Sequence, residues 1–113
     1  MAAVTSLNSN TPNPRDTDEY ETVAASQTAQ ALGTVGATGD FIEGVLVIPA
    51  VVAAGVVTLL DGATSIPVYV GGATSALVDV KPFWVPLGLR SKTGAWKITT
   101  GANVSVIARG RFS

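Results

Sequence analysis

Neither cysteine nor histidine occurs in this chain, and only 13% of its residues are charged. Each absence removes a class of chemistry. Without Cys there is no disulfide framework, no thiolate nucleophile and no structural zinc site of the usual kind. Without His there is no Ser-His-Asp triad and no imidazole general base. Seven basic residues stand against eight acidic ones, and the pI is near 5.1. A general nucleic-acid binder would carry an excess of Lys and Arg, so none is expected as a partner. The charged fraction is about half that of an ordinary soluble domain. The exterior is therefore either Thr/Ser/Asn/Gly-rich or partly covered by partners, and both suit a protein that lives inside a larger assembly.

Nor do the residues that are present build a reaction centre. Gly33, Gly36 and Gly39 recur at intervals of three. No G-x-G-x-x-G spacing, Lys-Ser/Thr pair or amphipathic helix follows, so they read as turn residues and not as a phosphate cradle. The carboxylates Asp40, Glu43, Asp61 and Asp79 have no spacing that forces two of them to converge, as a glycosidase would need. Asp16, Asp18, Glu19 and Glu21 read as a solvated acidic stretch, not a calcium loop. No catalytic residue, metal ligand or cofactor is expected. The 17 residues from Gly44 to Leu60 are uncharged and mostly aliphatic, near the lower limit for a membrane span. Pro49 and Gly55 interrupt them, and their flanks, Asp40, Glu43 and Asp61, are acidic where a span would carry Lys, Arg or aromatic anchors. Two strands are expected instead, and no membrane partner. Met1–Asn10 has neither the basic residues nor the apolar core of a secretory signal.

Two regions differ in character. Residues 1–19 are rich in Asn, Ser, Thr, Pro and Asp, with Pro12 and Pro14 and hardly an aliphatic after Leu7. Such a segment buries too little to offset its ordering entropy, so it is expected to be an extended polar arm that orders on a partner. Stretched out, it reaches about 60–70 Å. Residues 20–113 read as one β domain. Thr22–Ala25 and Gln30–Leu32 suit short strands, although Tyr20–Leu32 also suits a short helix. Phe41–Ile48 is apolar on both faces from Val45 onward, the pattern of a strand buried on both sides. Val56–Leu60 ends at Asp61-Gly62, a hairpin signal. Ser65–Val70 alternates, with Ile66, Val68 and Val70 on one face, and Leu77–Lys81 alternates likewise. Phe83–Val85, between Pro82 and Pro86, marks an edge or a bend. Ala95–Thr99 and Asn103–Ala108 complete the set. Short strands with turns at roughly ten-residue spacing predict an all-β fold, a single jelly-roll-like or β-sandwich domain.

Charge and aromatic residues nominate a binding surface. Arg15 against Asp16, Asp18, Glu19 and Glu21 leaves residues 1–39 at −3, whereas Lys81, Arg90, Lys92, Lys97, Arg109 and Arg111 meet no acid in residues 80–113. Acidic arm and basic C-terminal third can pair head-to-tail between subunits, setting register more than affinity. Phe83 and Trp84 cannot both face one side of a regular strand, so one is core and the other is packed under a loop or exposed. The candidate partner-binding residues are Arg15, Asp16, Asp18, Glu19, Phe83, Trp84, Arg90, Arg109 and Arg111.

The stretch Gly36-Ala-Thr-Gly39-Asp40-Phe-Ile-Glu43-Gly-Val-Leu-Val-Ile-Pro49, the run Val57-Thr-Leu-Leu-Asp61-Gly62 and the tail Gly94-Ala-Trp96-Lys-Ile-Thr-Thr-Gly101-Ala-Asn103-Val-Ser-Val-Ile107 resemble small β-rich virion proteins of tailed bacteriophages. The resemblance covers roughly Tyr20 to Ser113 and rests on turn and strand wording, with no catalytic signature. It implies a jelly-roll-like fold without enzymatic activity, made in the host cytoplasm and attached to the capsid exterior. The implied partner is the major capsid protein, and the implied role is decoration or cement, commonly as a homotrimer. An alternative expectation is a receptor- or carbohydrate-binding fibre or spike module with Trp84 or Tyr69 as its platform.

Overall fold

A computed structural model describes residues 19–71 and 80–113. Eight strands cross it: β1 (Glu19–Val23), β2 (Gln30–Ala31), β3 (Phe41–Pro49), β4 (Val57–Asp61), β5 (Thr64–Tyr69), β6 (Phe83–Arg90), β7 (Trp96–Thr100) and β8 (Val104–Arg111). They form two four-stranded antiparallel sheets in the orders β1-β8-β3-β6 and β2-β7-β4-β5. The order has a simple origin. The chain folds back on itself as one long hairpin, pairing β1 with β8, β2 with β7, β3 with β6 and β4 with β5. Rolling that hairpin up adds the β8·β3 and β7·β4 pairs. This is the jelly-roll form of the β-sandwich, and the described residues contain no helix.

Alternation along the strands fills the space between the sheets. Val23, Val45, Val47, Val104, Val106 and Ala108 from one sheet meet Val57, Leu59, Trp96 and Ile98 from the other, all buried. Phe83, Val85, Leu87, Ile66 and Val68 close the margins. Val70 lies past the end of β5 and is exposed, so the face it was expected to share ends at Val68. Asp61 opens a two-residue β4–β5 loop, with Gly62 at φ +60° in its first central position, as a type II′ turn requires.

Four expectations are corrected or placed by the structure. A helix over Tyr20–Leu32 does not form. Thr22 and Val23 are β-branched and pair along β8, while Ser26 and Ala29 adopt positive φ, which no helix accommodates. The loop between them is tied to β7: Thr99 Oγ1 accepts the Ala29 N–H at 2.9 Å, and Thr100 Oγ1 accepts the Gln27 N–H at 3.0 Å while donating to the Ala24 carbonyl at 2.6 Å. Secondly, of the expected edge or bend at Phe83–Val85 the edge is what forms: β6 continues past Pro86 to eight residues, with Gly88 at φ +64° where its register against β3 slips. It stands at the edge of its sheet, where a missing N–H breaks no ladder. Thirdly, β3 is sealed on one side only. Its inner residues Val45 and Val47 are fully buried, whereas Leu46 and Ile48 face outward and stay half-buried. Of the expected strand Leu77–Lys81, residues 77–79 lie outside the described residues, and Val80 and Lys81 are in no strand.

Candidate functional site

The two outer faces of the sandwich differ. That of the β2-β7-β4-β5 sheet carries Thr58, Leu60, Ser65, Pro67, Lys97 and Thr99, a mostly polar solvent face. That of the β1-β8-β3-β6 sheet is lined across the strands by Thr22, Ile107, Leu46 and Trp84 in one register row, with Tyr20, Arg109, Gly44 and Pro86 in the next. Leu46, Trp84, Ile107 and Tyr20 line an open groove of about 370 Å³, with Glu19 and Arg109 at its rim. It adjoins a second hollow of about 450 Å³, which shares Ile107 and adds Ile48, Thr22 and Ala25.

A bulge shapes this groove. The register of β3 slips between Ile42 and Gly44, so Glu43 and Gly44 together face the single partner Arg109. Glu43 Oε1 lies 2.8 Å from Arg109 Nε. Gly44 leaves a shelf without a side chain, and the indole of Trp84 lies against it. A Cβ there would collide with the ring and with the Val85 carbonyl. The opposite side of the indole stays open, so Trp84 is 43% exposed, and Tyr20 across the groove is 72% exposed. At the near end of the face, the guanidinium groups of Arg111 and Arg90 sit 5.1 and 5.9 Å from the Phe41 ring centre, within cation–π range.

The structure thus gathers Glu19, Trp84 and Arg109 around one groove, with Arg90 and Arg111 beside it on Phe41. Phe83 points the other way, into the sandwich, packed edge-on against Tyr69 at 5.4 Å. Arg15, Asp16 and Asp18 lie outside the described residues. Sequence reasoning passed over Tyr20, Leu46 and Ile107 as groove residues. The signal for two of them was present: Leu46 and Ile107 sit one residue out of phase with the buried valines on β3 and β8. An apolar residue at an outward position reads equally well as a covered strand.

A second polar cluster serves the fold. Asp61 is buried at the end of β4, where its carboxylate accepts the backbone N–H groups of Lys92 at 3.0 Å, Thr93 at 3.1 Å and Gly94 at 3.4 Å. The Thr93 hydroxyl donates to the Asp61 carbonyl. Burial alone would raise the Asp61 pKa. The donors from Thr93, Lys92 and Gly94 outweigh it and hold the carboxyl below its ordinary range. Among the described residues, the hydrogen bonds of this carboxylate go to the β6–β7 loop, so it clamps that loop to the β4–β5 hairpin.

Comparison with family models, curated proteins and solved structures found no match.

Proposed function

We propose that this chain is a non-enzymatic structural protein that attaches to a large protein lattice through the apolar outer face of the β1-β8-β3-β6 sheet. Its partner is the major capsid protein of a tailed bacteriophage, and its role is decoration or cement on the head exterior, as a trimer. The observation that carries the attachment is the unequal pair of sheet faces: one polar, the other presenting Trp84, Tyr20, Leu46, Ile48 and Ile107. An exposed apolar face of this kind marks an interaction surface. The exposed part of Trp84 is about 100 Å², worth on the order of 2–3 kcal/mol when covered. Association costs consume much of such a gain at one site, and many copies on a repeating lattice recover it through avidity. The capsid assignment itself rests on the resemblance, since one jelly-roll fold hosts capsid proteins and lectins alike.

The test is co-sedimentation with capsids stripped of the protein, followed by heating. Native protein should bind and raise heat resistance. Trp84→Ser should weaken binding by about 30- to 150-fold, the equivalent of 2–3 kcal/mol, while Lys97→Glu on the polar face leaves it unchanged. Failure to bind, or equal binding by Trp84→Ser, overturns the proposal. Trp84 lying on a glycine shelf with one ring face open also suits stacking on a sugar. Tyr69 does not share that role, because it packs against Phe83. Glycan binding that Trp84→Ser abolishes, without capsid binding, favours the carbohydrate reading.

A further inference from the structure

We infer that copies of this chain associate head to tail, the β3–β4 loop of one entering the hollow beside Ile48 on the next. Self-association stands on its own observations; only the choice of three copies rests on the attachment reading above.

The loop is the first of these observations. Residues 50–56 read Ala-Val-Val-Ala-Ala-Gly-Val, without one polar side chain. Surface loops are as a rule polar and mobile. This one is held at both ends by the β7–β8 turn: the Ala50 N–H donates to the Asn103 carbonyl at 2.8 Å, and the Gly55 N–H to the Ala102 carbonyl at 2.9 Å. Gly55 and Gly101 meet so closely that a Cβ on either would strike the backbone of the other. Of the seven residues Ala54 alone is buried, and Val51 and Val52 stay 40% and 46% exposed. The loop is thus a fixed apolar knob, organised in advance for contact.

The hollow is the second. It lies on the outer face of the β1-β8-β3-β6 sheet, at the end where this loop leaves β3, and Thr22, Ala25, Ile48, Ser105 and Ile107 line its roughly 450 Å³. That space takes the side chains of Val51 and Val52, and among the described residues none of those lining it is ionisable. The third is charge. Connections 24–29, 50–56 and 101–103 meet at this end of the sandwich and hold no charged residue. Such a surface meets its own copy without like-charge repulsion and offers nothing to steer a charged partner. It does not suit a bilayer either, since these connections have no Lys, Arg, Trp or Tyr to sit among headgroups.

Geometry lets the contact close. The knob projects along the strands and the hollow opens through the sheet face, directions about 90° apart. The rotation that seats each knob in the next hollow then lies between about 90° and 180°, which fits closed rings of roughly two to four copies. Each copy in a ring covers both its knob and its hollow, which an unlike partner would have to cover separately. One such contact buries on the order of 500 Å², well under a standard interface, so association is weak until the ring closes.

Sedimentation velocity on the full-length protein tests it. The native chain should pass from monomer to a discrete species of roughly two to four copies between about 10 μM and 1 mM, as a small interface requires. Val52→Glu on the knob and Ile48→Glu in the hollow should each raise the concentration needed at least about tenfold. Ala25→Glu repeats the hollow test outside the strands, and emission of the buried Trp96 checks that each variant is folded. An equimolar mixture of Val52→Glu and Ile48→Glu should form a pair and nothing larger, because one copy keeps its hollow and the other its knob. Native protein that stays monomeric throughout that range overturns the proposal, as does self-association that neither variant weakens. Mixed variants that fail to pair overturn the head-to-tail arrangement. Flotation of the native protein with phosphatidylcholine–phosphatidylglycerol vesicles, lost in Val52→Glu, assigns the knob to lipid and overturns it as well. No capsid enters these measurements, so failure of self-association and failure of the attachment reading are separable.

Discussion

A single carboxylate, Asp61, carries most of the polar order at one end of the sandwich. Three backbone donors from the β6–β7 loop converge on it, and they hold its folded-state pKa below the ordinary Asp value. The sign of the resulting pH dependence is fixed. A lowered pKa contributes stability that is complete above the unfolded-state value of about 3.9 and is lost as pH falls through the folded-state value. Asp61→Asn keeps the shape but gives up the charge. Its melting temperature should lie below that of the native protein from pH 5 to 8, and the gap should narrow steadily below about pH 4. Calorimetry across that range decides the matter; a gap that stays constant down to pH 2 removes the clamp.

At the scale of the strand, the bulge in β3 couples fold to surface. Glu43 and Gly44 share one partner on β8, which turns Glu43 toward Arg109 and leaves Gly44 as the bed of the indole. Gly44→Ala introduces a methyl against both the ring and the Val85 carbonyl. The ring can swing away, but the carbonyl belongs to the β3–β6 ladder and cannot yield cheaply. Urea denaturation should show a loss of about 1–3 kcal/mol, and Trp84 emission should shift to the red as the ring lifts into water. A neutral substitution would mean that the shelf does not hold the indole. The neighbouring β6 shows how an edge tolerates its sequence: Pro86 costs no ladder hydrogen bond there, and it blunts an edge that otherwise invites pairing with another chain.

Across the whole molecule, the jelly roll pairs the first and last of the described strands. β1 pairs with β8 from Glu19↔Gly110 to Val23↔Val106, so its first strand docks only after the last is made. Such pairings demand long loop closures before any contact rewards them. Refolding from urea should accordingly take milliseconds to seconds, not microseconds. Stopped-flow emission of the buried Trp96 reports it. Microsecond refolding would show that the early steps do not depend on the β1·β8 closure.

The local pattern of this sequence determined its fold class. Alternating apolar residues on β4, β7 and β8, the Asp61-Gly62 turn and glycine punctuation mark strands wherever they occur, because side-chain period and turn geometry are properties of the local chain. Absence of Cys and His likewise settled by composition which chemistries the chain lacks. Which sheet face is covered was decided only by the tertiary structure. Leu46 and Ile107 carry the same hydrophobicity as the buried valines beside them, and nothing local tells an apolar residue whether a second layer lies above it. The groove joins Tyr20, Ile107, Leu46 and Trp84 from four strands that are remote in the chain and adjacent only in the order β1-β8-β3-β6. Arg109 and Glu43, 66 residues apart in the chain, meet for the same reason. Strand order arises from the rolling of the whole hairpin, a long-range event that no short window of sequence encodes.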